Sequence, residues 1–122
     1  MADSFVRRFK RRHFRYGIFS PEAFQCTEDE IGLSLHKRDP PLDTVSGLAA
    51  YQVAFAYPSG DRLGVSELGP YCFKGMQPPV KSPPGEIEPY SELHYELRPC
   101  PEDEQAAQLA ACAQVLIPFV KV

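Results

Sequence analysis

Alternating apolar and polar side chains predict several strands in this chain. Residues 91–98 alternate strictly, with leucine and tyrosine on one side and charged or histidine side chains on the other. Residues 31–37 show the same pattern. Residues 13–19 are rich in aromatic and branched side chains, which suit a pleated surface. All three segments are therefore predicted to be strands.

A hairpin is predicted between residues 51 and 68. Tyr51–Tyr57 and Arg62–Leu68 form two arms of equal length, joined by the turn-rich tetrapeptide Pro58–Asp61. Together with the strand at 91–98, this hairpin is expected to form the centre of a sheet.

The helical pattern is strongest near the C-terminus. Residues 102–116 begin with three acidic side chains, which favour a helix N-terminus, and Pro118 is expected to end the helix. A brief second helix is predicted to start at Ser20, a good N-cap, with Pro21 in its first turn. The longer helix carries its apolar stripe at Ala106, Leu109, Ala113 and Leu116.

Two segments lack a strong periodic pattern. Residues 1–12 carry only a narrow apolar stripe between basic side chains, which predicts a basic N-terminal arm or a short helix. Residues 75–89 contain five prolines and two glycines, which predict a proline-rich surface loop.

These elements predict a single α+β domain over residues 1–122. Its mainly antiparallel sheet has four to six strands, and the C-terminal helix packs on one face. The strand pattern also predicts that the face carrying His94 is open to solvent. The expected core is Phe14, Ile18, Leu33, Leu35, Val53, Phe55, Val65, Leu93, Tyr95, Leu97, Leu109, Ala113 and Leu116.

Composition agrees with a folded domain. The chain has 43% hydrophobic and 24% charged residues, which are ordinary values for globular proteins. No apolar run approaches the roughly 18 residues of a membrane span, so no membrane association is predicted. The basic N-terminal residues are not followed by an apolar stretch, which disfavours a secretory signal and favours a cytoplasmic location.

The four cysteines are scattered along the chain and indicate no metal site. Cys26, Cys72, Cys100 and Cys112 contain no CxxC pair, so a zinc site is not expected. Two disulfides are arithmetically possible. Without a secretory signal, reduced thiols are favoured, with Cys112 buried on the apolar side of the last helix.

Charge is distributed unevenly along the chain. Six of the 13 basic residues lie within residues 7–15, whereas residues 16–122 have a net charge of −8. Clustered arginines between aromatic rings suit phosphates and exposed bases, but they also suit an acidic protein partner or the acidic body itself. The partner-binding candidates are Arg7, Arg8, Lys10, Arg11, Arg12 and Arg15.

Candidate chemistry centres on His94. Because residues two apart on a strand share a face, His94 and Glu96 are candidates for acid–base catalysis or metal binding. Ser34 and His36 share a face of another predicted strand, and two histidines with a carboxylate would suit a metal if the two strands were neighbours. The alternative is a solvated strand face with an incidental histidine.

Known catalytic and cofactor motifs are missing. The chain has no GxSxG, GxGxxG or GxxxxGK[ST] sequence, and no cofactor or metal is predicted. The favoured hypothesis is a small non-enzymatic accessory or regulatory protein that binds a macromolecule, in the first place a protein. The alternatives are a small enzyme using His94 and Glu96, and an RNA- or DNA-binding protein using the arginine-rich segment. A homo-oligomer is left open.

Overall fold

The computed structural model describes residues 3–121, which form one small α+β domain. Its main sheet has six antiparallel strands in the order β6-β7-β4-β1-β5-β8, and β2 and β3 pair as a separate two-stranded sheet. The predicted fold class is confirmed. The strands are β1 (Phe5–Phe9), β2 (Phe14–Arg15), β3 (Ile18–Phe19), β4 (Leu33–Lys37), β5 (Gly64–Leu68), β6 (Val80–Lys81), β7 (His94–Leu97) and β8 (Gln114–Ile117).

One face of the sheet packs on the C-terminal helix α2 (Asp103–Cys112) and on a 3₁₀ turn at Pro21–Phe24. Ser20 caps this turn by accepting a hydrogen bond from the Glu22 amide at 3.3 Å, as its sequence position predicts. The larger apolar core lies here and contains Phe5, Phe9, Phe19, Phe24, Leu33, Leu35, Leu68, Leu97, Ala106 and Leu109.

The opposite face packs on helix α1 (Val45–Ala54). Its smaller apolar core consists of Val6, Leu42, Leu48, Tyr51, Val65 and Tyr90. Within residues 3–121, neither this helix nor α2 is long and apolar enough to cross a membrane. The sheet is thus covered on both faces, although much more completely on the α2 side.

The prediction of an N-terminal arm or helix is wrong for the described part of residues 1–12; Met1 and Ala2 lie outside it. β1 is an inner strand that pairs with β4 on one side and β5 on the other. Phe5 and Phe9 enter the larger core, whereas Val6 enters the smaller one. Because both faces of β1 are buried, its apolar positions do not alternate and resemble a short helical stripe.

The predicted hairpin at 51–68 is also wrong in its first arm. Residues 45–54 form α1, which Thr44 caps by accepting a hydrogen bond from the Gly47 amide at 3.0 Å. Leu48 and Tyr51 are buried at helical spacing, and the alanines between them favour a helix. Val53, a predicted core residue, is 52% exposed. The second arm is confirmed as β5.

The C-terminal helix is shorter than predicted. It ends at Cys112, because Ala113 has an extended backbone and residues 114–117 leave as the edge strand β8, which pairs with β5. The two central strands of the sheet are accordingly β4 and β1, and β5 and β7 of the predicted centre lie on either side of them. Leu116, expected on the helix, lies on β8.

Residues 13–19 form a tight hairpin instead of one strand. Tyr16 and Gly17 make its two-residue turn, with φ of 55° and 75°, and β2 pairs with β3 across it. The reversal exposes one side of the hairpin. Ile18, a predicted core residue, is therefore 71% exposed, whereas Phe19 is buried.

The prediction of four reduced cysteines is wrong. Cys26 is bonded to Cys100, and Cys72 to Cys112, with Cα atoms 5.9 Å and 5.5 Å apart. Both bonds join α2 or the segment before it to distant parts of the chain. Four cysteines are an even number and could form two disulfides. Their spacing along the chain does not reveal which of them lie within bonding distance.

Leu109→Asp is expected to lower the free energy of unfolding by roughly 3 kcal/mol or more, because Leu109 is fully buried and the new carboxylate would have no partner. Chemical denaturation measures the effect. Ala107→Asp is the matched control, since it adds the same charge to an exposed position of α2. Equal losses for the two variants would show that Leu109 does not anchor the helix.

The disulfides are expected to stabilise the fold. Intact mass under non-reducing conditions should be lower by four hydrogens, with no thiol available for alkylation. Replacing either cysteine pair with serine should cost roughly 2–5 kcal/mol in the free energy of unfolding. Cys26–Cys100 closes the longer loop and should matter more. Unchanged stability after reduction would contradict this role.

Candidate functional site

A group of polar side chains lies on the sheet face that α1 partly covers. The antiparallel pairing of β4 with β7 places His36 opposite His94 and Ser34 opposite Glu96. The ring centroids of the two histidines are 5.7 Å apart. The two strands that carry the sequence-predicted polar residues are thus direct neighbours.

Ser34 and His94 form a hydrogen-bonded pair. Ser34 Oγ lies 2.9 Å from His94 Nε2, and His94 Nδ1 lies 3.1 Å from the carbonyl oxygen of Pro83. A carbonyl oxygen can only accept, so His94 Nδ1 carries the proton and donates it to Pro83. In neutral His94, Nε2 is then the acceptor for the Ser34 hydroxyl. This arrangement is a serine, a base and a group that orients the base.

A cleft opens next to this pair. This serine cleft has a volume of about 260 Å³. Residues of the proline-rich segment contribute to its wall, which explains how the Pro83 carbonyl comes close to His94. The cleft is lined by Arg8, Ser34, His36, Phe55, Tyr90 and His94, together with residues 85–87.

Arg8 supplies a cation to the serine cleft. Its guanidinium carbon lies 4.0 Å from the centroid of the Phe55 ring, a cation–π contact. No carboxylate within residues 3–121 forms an ion pair with it. Such a cation is available to stabilise negative charge on a ligand or an intermediate.

His36 is a neutral part of the cleft. It is 6% exposed, and its Nδ1 lies 2.8 Å from the Tyr51 hydroxyl. Burial, supported by the charge of Arg8, lowers the pKa of His36 to about 3. Burial also raises the pKa of Tyr51 to about 12, against the opposing effect of Arg8. The expectation of an open, solvated face is therefore wrong at His36.

Glu96 does not join His94 in the cleft. It accepts a hydrogen bond from Arg98 Nε at 3.0 Å, and this bond lowers the pKa of Glu96. Within residues 3–121, no three histidine, cysteine, aspartate or glutamate side chains come together as a metal-binding group. The two histidines and the carboxylate considered from the sequence do not form such a group here.

The basic segment at residues 7–15 is divided by the strand. Arg7 and Arg8 lie on β1, and Arg7 donates to the carbonyl oxygens of Ala23 and Ser34 at 2.7 Å and 2.8 Å. Burial lowers the pKa of Arg7 to about 10. The outward-facing basic residues are Lys10, Arg11, Arg12 and Arg15, of which Arg12 forms an exposed 3.0 Å ion pair with Glu22. The six cations therefore do not form one surface patch.

Sequence reasoning missed the groups that complete the site. The sequence predicts Tyr51 and Phe55 on a strand, whereas α1 and its C-cap place both rings against His36. The Pro83 carbonyl is a backbone group and has no sequence signal. The proline-rich composition of residues 75–89 was the one indication that this segment has a defined path.

Comparison with known proteins gives no match: no family model, curated protein or solved structure is similar to this chain. The geometry of the serine cleft is therefore the main evidence about function.

The pKa of His36 predicts a pH dependence of stability. A folded-state pKa of about 3, against 6.5 when unfolded, means that folding favours neutral His36. Its contribution to the free energy of unfolding is complete above pH 6.5 and is lost as the pH falls toward 3, by roughly 3–5 kcal/mol. His36→Gln keeps a partner for Tyr51 but does not titrate.

Denaturation of both proteins from pH 7 to pH 3 measures this effect. The stability difference between wild type and His36→Gln should shift in favour of the variant as the pH falls. Carboxylates and His13 titrate in both proteins, so their effects cancel in the difference. Parallel curves would contradict the proposed burial of neutral His36.

Proposed function

We propose that this protein is a small hydrolase that cleaves an ester substrate by acyl transfer to Ser34. One observation carries the proposal: Ser34 Oγ is hydrogen-bonded to His94 Nε2, while the Pro83 carbonyl orients the ring from the other side. This arrangement supports nucleophilic catalysis, because a serine hydroxyl requires an adjacent base for activation. A pocket beside the pair offers room for a substrate.

In the first step, Ser34 Oγ attacks the carbonyl carbon of the ester, and its proton passes to His94 Nε2. The carbonyl oxygen becomes negatively charged in the tetrahedral intermediate, and the guanidinium of Arg8 in the same cleft stabilises it. The bond from carbon to the leaving oxygen then breaks, and His94 returns the proton to the departing alcohol. The product of this step is acyl-Ser34.

In the second step, water hydrolyses the acyl group. His94 Nε2 takes a proton from the water as its oxygen attacks the acyl carbon, and this proton then returns to Ser34 Oγ as the acid leaves. The Pro83 carbonyl keeps Nδ1 protonated throughout. A neutral carbonyl stabilises the imidazolium less than a carboxylate does, so we expect slower turnover than in proteases with a Ser-His-Asp triad.

The enzyme hypothesis retains His94 from the sequence but changes its partner. Ser34 replaces Glu96 as the second functional side chain, because Glu96 is bound to Arg98 outside the cleft. The absence of a GxSxG sequence has a structural counterpart: Ser34 lies within the sheet strand β4, not on a strand-to-helix turn.

Binding of an acidic protein partner is a second candidate function. The β2–β3 hairpin presents a fully exposed Tyr16, with Arg11 and Arg15 beside it. Tyrosine and arginine are enriched at protein interfaces, and clustered charge accelerates encounter with an oppositely charged surface. This surface is separate from the serine cleft, so both functions are compatible.

Two disulfides also bear on location. Disulfides persist mainly in oxidising compartments. They support an oxidising environment for this protein, in place of the cytoplasmic location that the sequence pattern predicts.

Ser34→Ala and His94→Ala are each expected to reduce kcat/KM for p-nitrophenyl esters by about 100-fold or more, because each removes the nucleophile or its base. A fluorophosphonate should label the wild-type protein at Ser34, as located by peptide mass spectrometry. Ser46→Ala, on the exposed surface of α1, is the matched control and should keep wild-type activity. Equal hydrolysis by wild type and Ser34→Ala would contradict the proposal.

A further inference from the structure

A second cavity shares Arg8, Ser34 and His36 with the serine cleft. This arginine cavity has a volume of about 190 Å³, far more than the roughly 10–15 Å³ that one water molecule needs. Seven of its eleven lining residues, all within 3–121, are basic or otherwise polar, and none is acidic. Its charged and polar lining includes Arg7, Arg8, Lys10, His13, Ser34 and His36.

His13 lines this cavity and carries a buried donor. Its Nδ1 accepts a hydrogen bond from the Lys10 amide at 3.2 Å, which places the proton of the neutral ring on Nε2. The residue is only 9% exposed, and Nε2 is buried without a hydrogen-bond partner in the described part of the chain. A buried N–H without an acceptor is unfavourable, and an oxyanion that binds against the His13 ring would supply one.

Two guanidiniums accompany this donor. Arg7 uses Nε and Nη1 on backbone carbonyls, and no described hydrogen bond occupies its Nη2. Glu30 is the acid that acts on Arg7, but it makes no ion pair with it, and Glu30 Oε1 accepts from the amide and hydroxyl of Thr27. Neither Arg7 nor Arg8 has a carboxylate partner within residues 3–121.

We propose that the arginine cavity binds the phosphate group of a phosphate monoester. The guanidiniums of Arg7 and Arg8 match a dianion, and the three donor side chains Arg7, Arg8 and His13 match its three terminal oxygens. A carboxylate has one charge and two oxygens, so it would leave part of this donor set unused.

The position of the cavity identifies the substrate class, and this step rests on the proposed function. Arg8, Ser34 and His36 line both the arginine cavity and the serine cleft. A phosphate group bound in the arginine cavity therefore places the rest of a small molecule beside Ser34 and His94. The substrate class is a small acyl ester that also carries a phosphate group.

Binding of inorganic phosphate to the full chain tests the anion site without any turnover. Titration calorimetry and thermal unfolding compare phosphate with acetate and chloride at equal ionic strength. We expect saturable, phosphate-selective binding and a higher melting temperature in phosphate. Phosphate should also inhibit ester hydrolysis competitively.

Two variants locate the site. His13→Asn keeps an acceptor for the Lys10 amide but removes the Nε2 donor, and Arg8→Gln removes one cation. Each should raise the Kd for phosphate by about 10-fold or more, the usual effect of losing a hydrogen bond to a charged group. Arg11→Gln is the control, because it removes an equal charge from an exposed residue outside the cavity. Its Kd should match that of wild type.

Equal binding of phosphate and acetate, absence of saturable phosphate binding, or an equal loss in Arg11→Gln would overturn the proposal. Failure of the proposed hydrolase appears separately. Phosphate binding that depends on Arg8 and His13, without any Ser34-dependent esterase activity, would leave the anion site and remove the assigned substrate class. Ser34-dependent esterase activity without phosphate binding would support the hydrolase and overturn the anion site.

Discussion

The separation of β1 from β4 beyond Val6 is the constraint on which the site depends. β1 pairs with β5 along five residues, but with β4 at only two positions, Phe5 and Val6. Past that point, the guanidinium of Arg7 binds the Ser34 carbonyl in place of a continued strand ladder. The unpaired stretch between β1 and β4 leaves room for solvent within the sheet. Arg8 and Ser34, on the two sides of this stretch, line both cavities.

This opening places charged groups where an uninterrupted sheet would hold a core. Burial of a guanidinium or an imidazole is unfavourable without partners, and it is visible in the lowered pKa values of Arg7 and His36. The α2 side of the same sheet is densely apolar. One disulfide links the end of α2 to Cys72, and the other links the segment before α2 to Cys26. A stable apolar half therefore supports a polar half that is less favourable for folding, as expected of a functional site.

Local features of the fold were predictable because they depend on local chemistry. β4 and β7 follow from alternation, β5 from its place after the turn-rich Pro58–Asp61, the turn at Pro21–Phe24 from its Ser20 cap, and the start of α2 from its acidic first turn. The main errors have equally physical causes. β1 is buried on both faces and does not alternate, and α1 spaces Leu48 and Tyr51 on one helical face while Tyr51, Val53 and Phe55 also fit a strand.

The sequence by itself determined the fold class, the side-chain types available for chemistry and the shared face of each residue pair such as Ser34 and His36. Only the tertiary structure decided which of these meet. Strand order made β4 and β7 neighbours, the path of the proline-rich segment brought a carbonyl to His94, and chain folding selected the cysteine pairs. These contacts join residues tens of positions apart, and periodicity within a segment carries no information about which distant segment it will pack against.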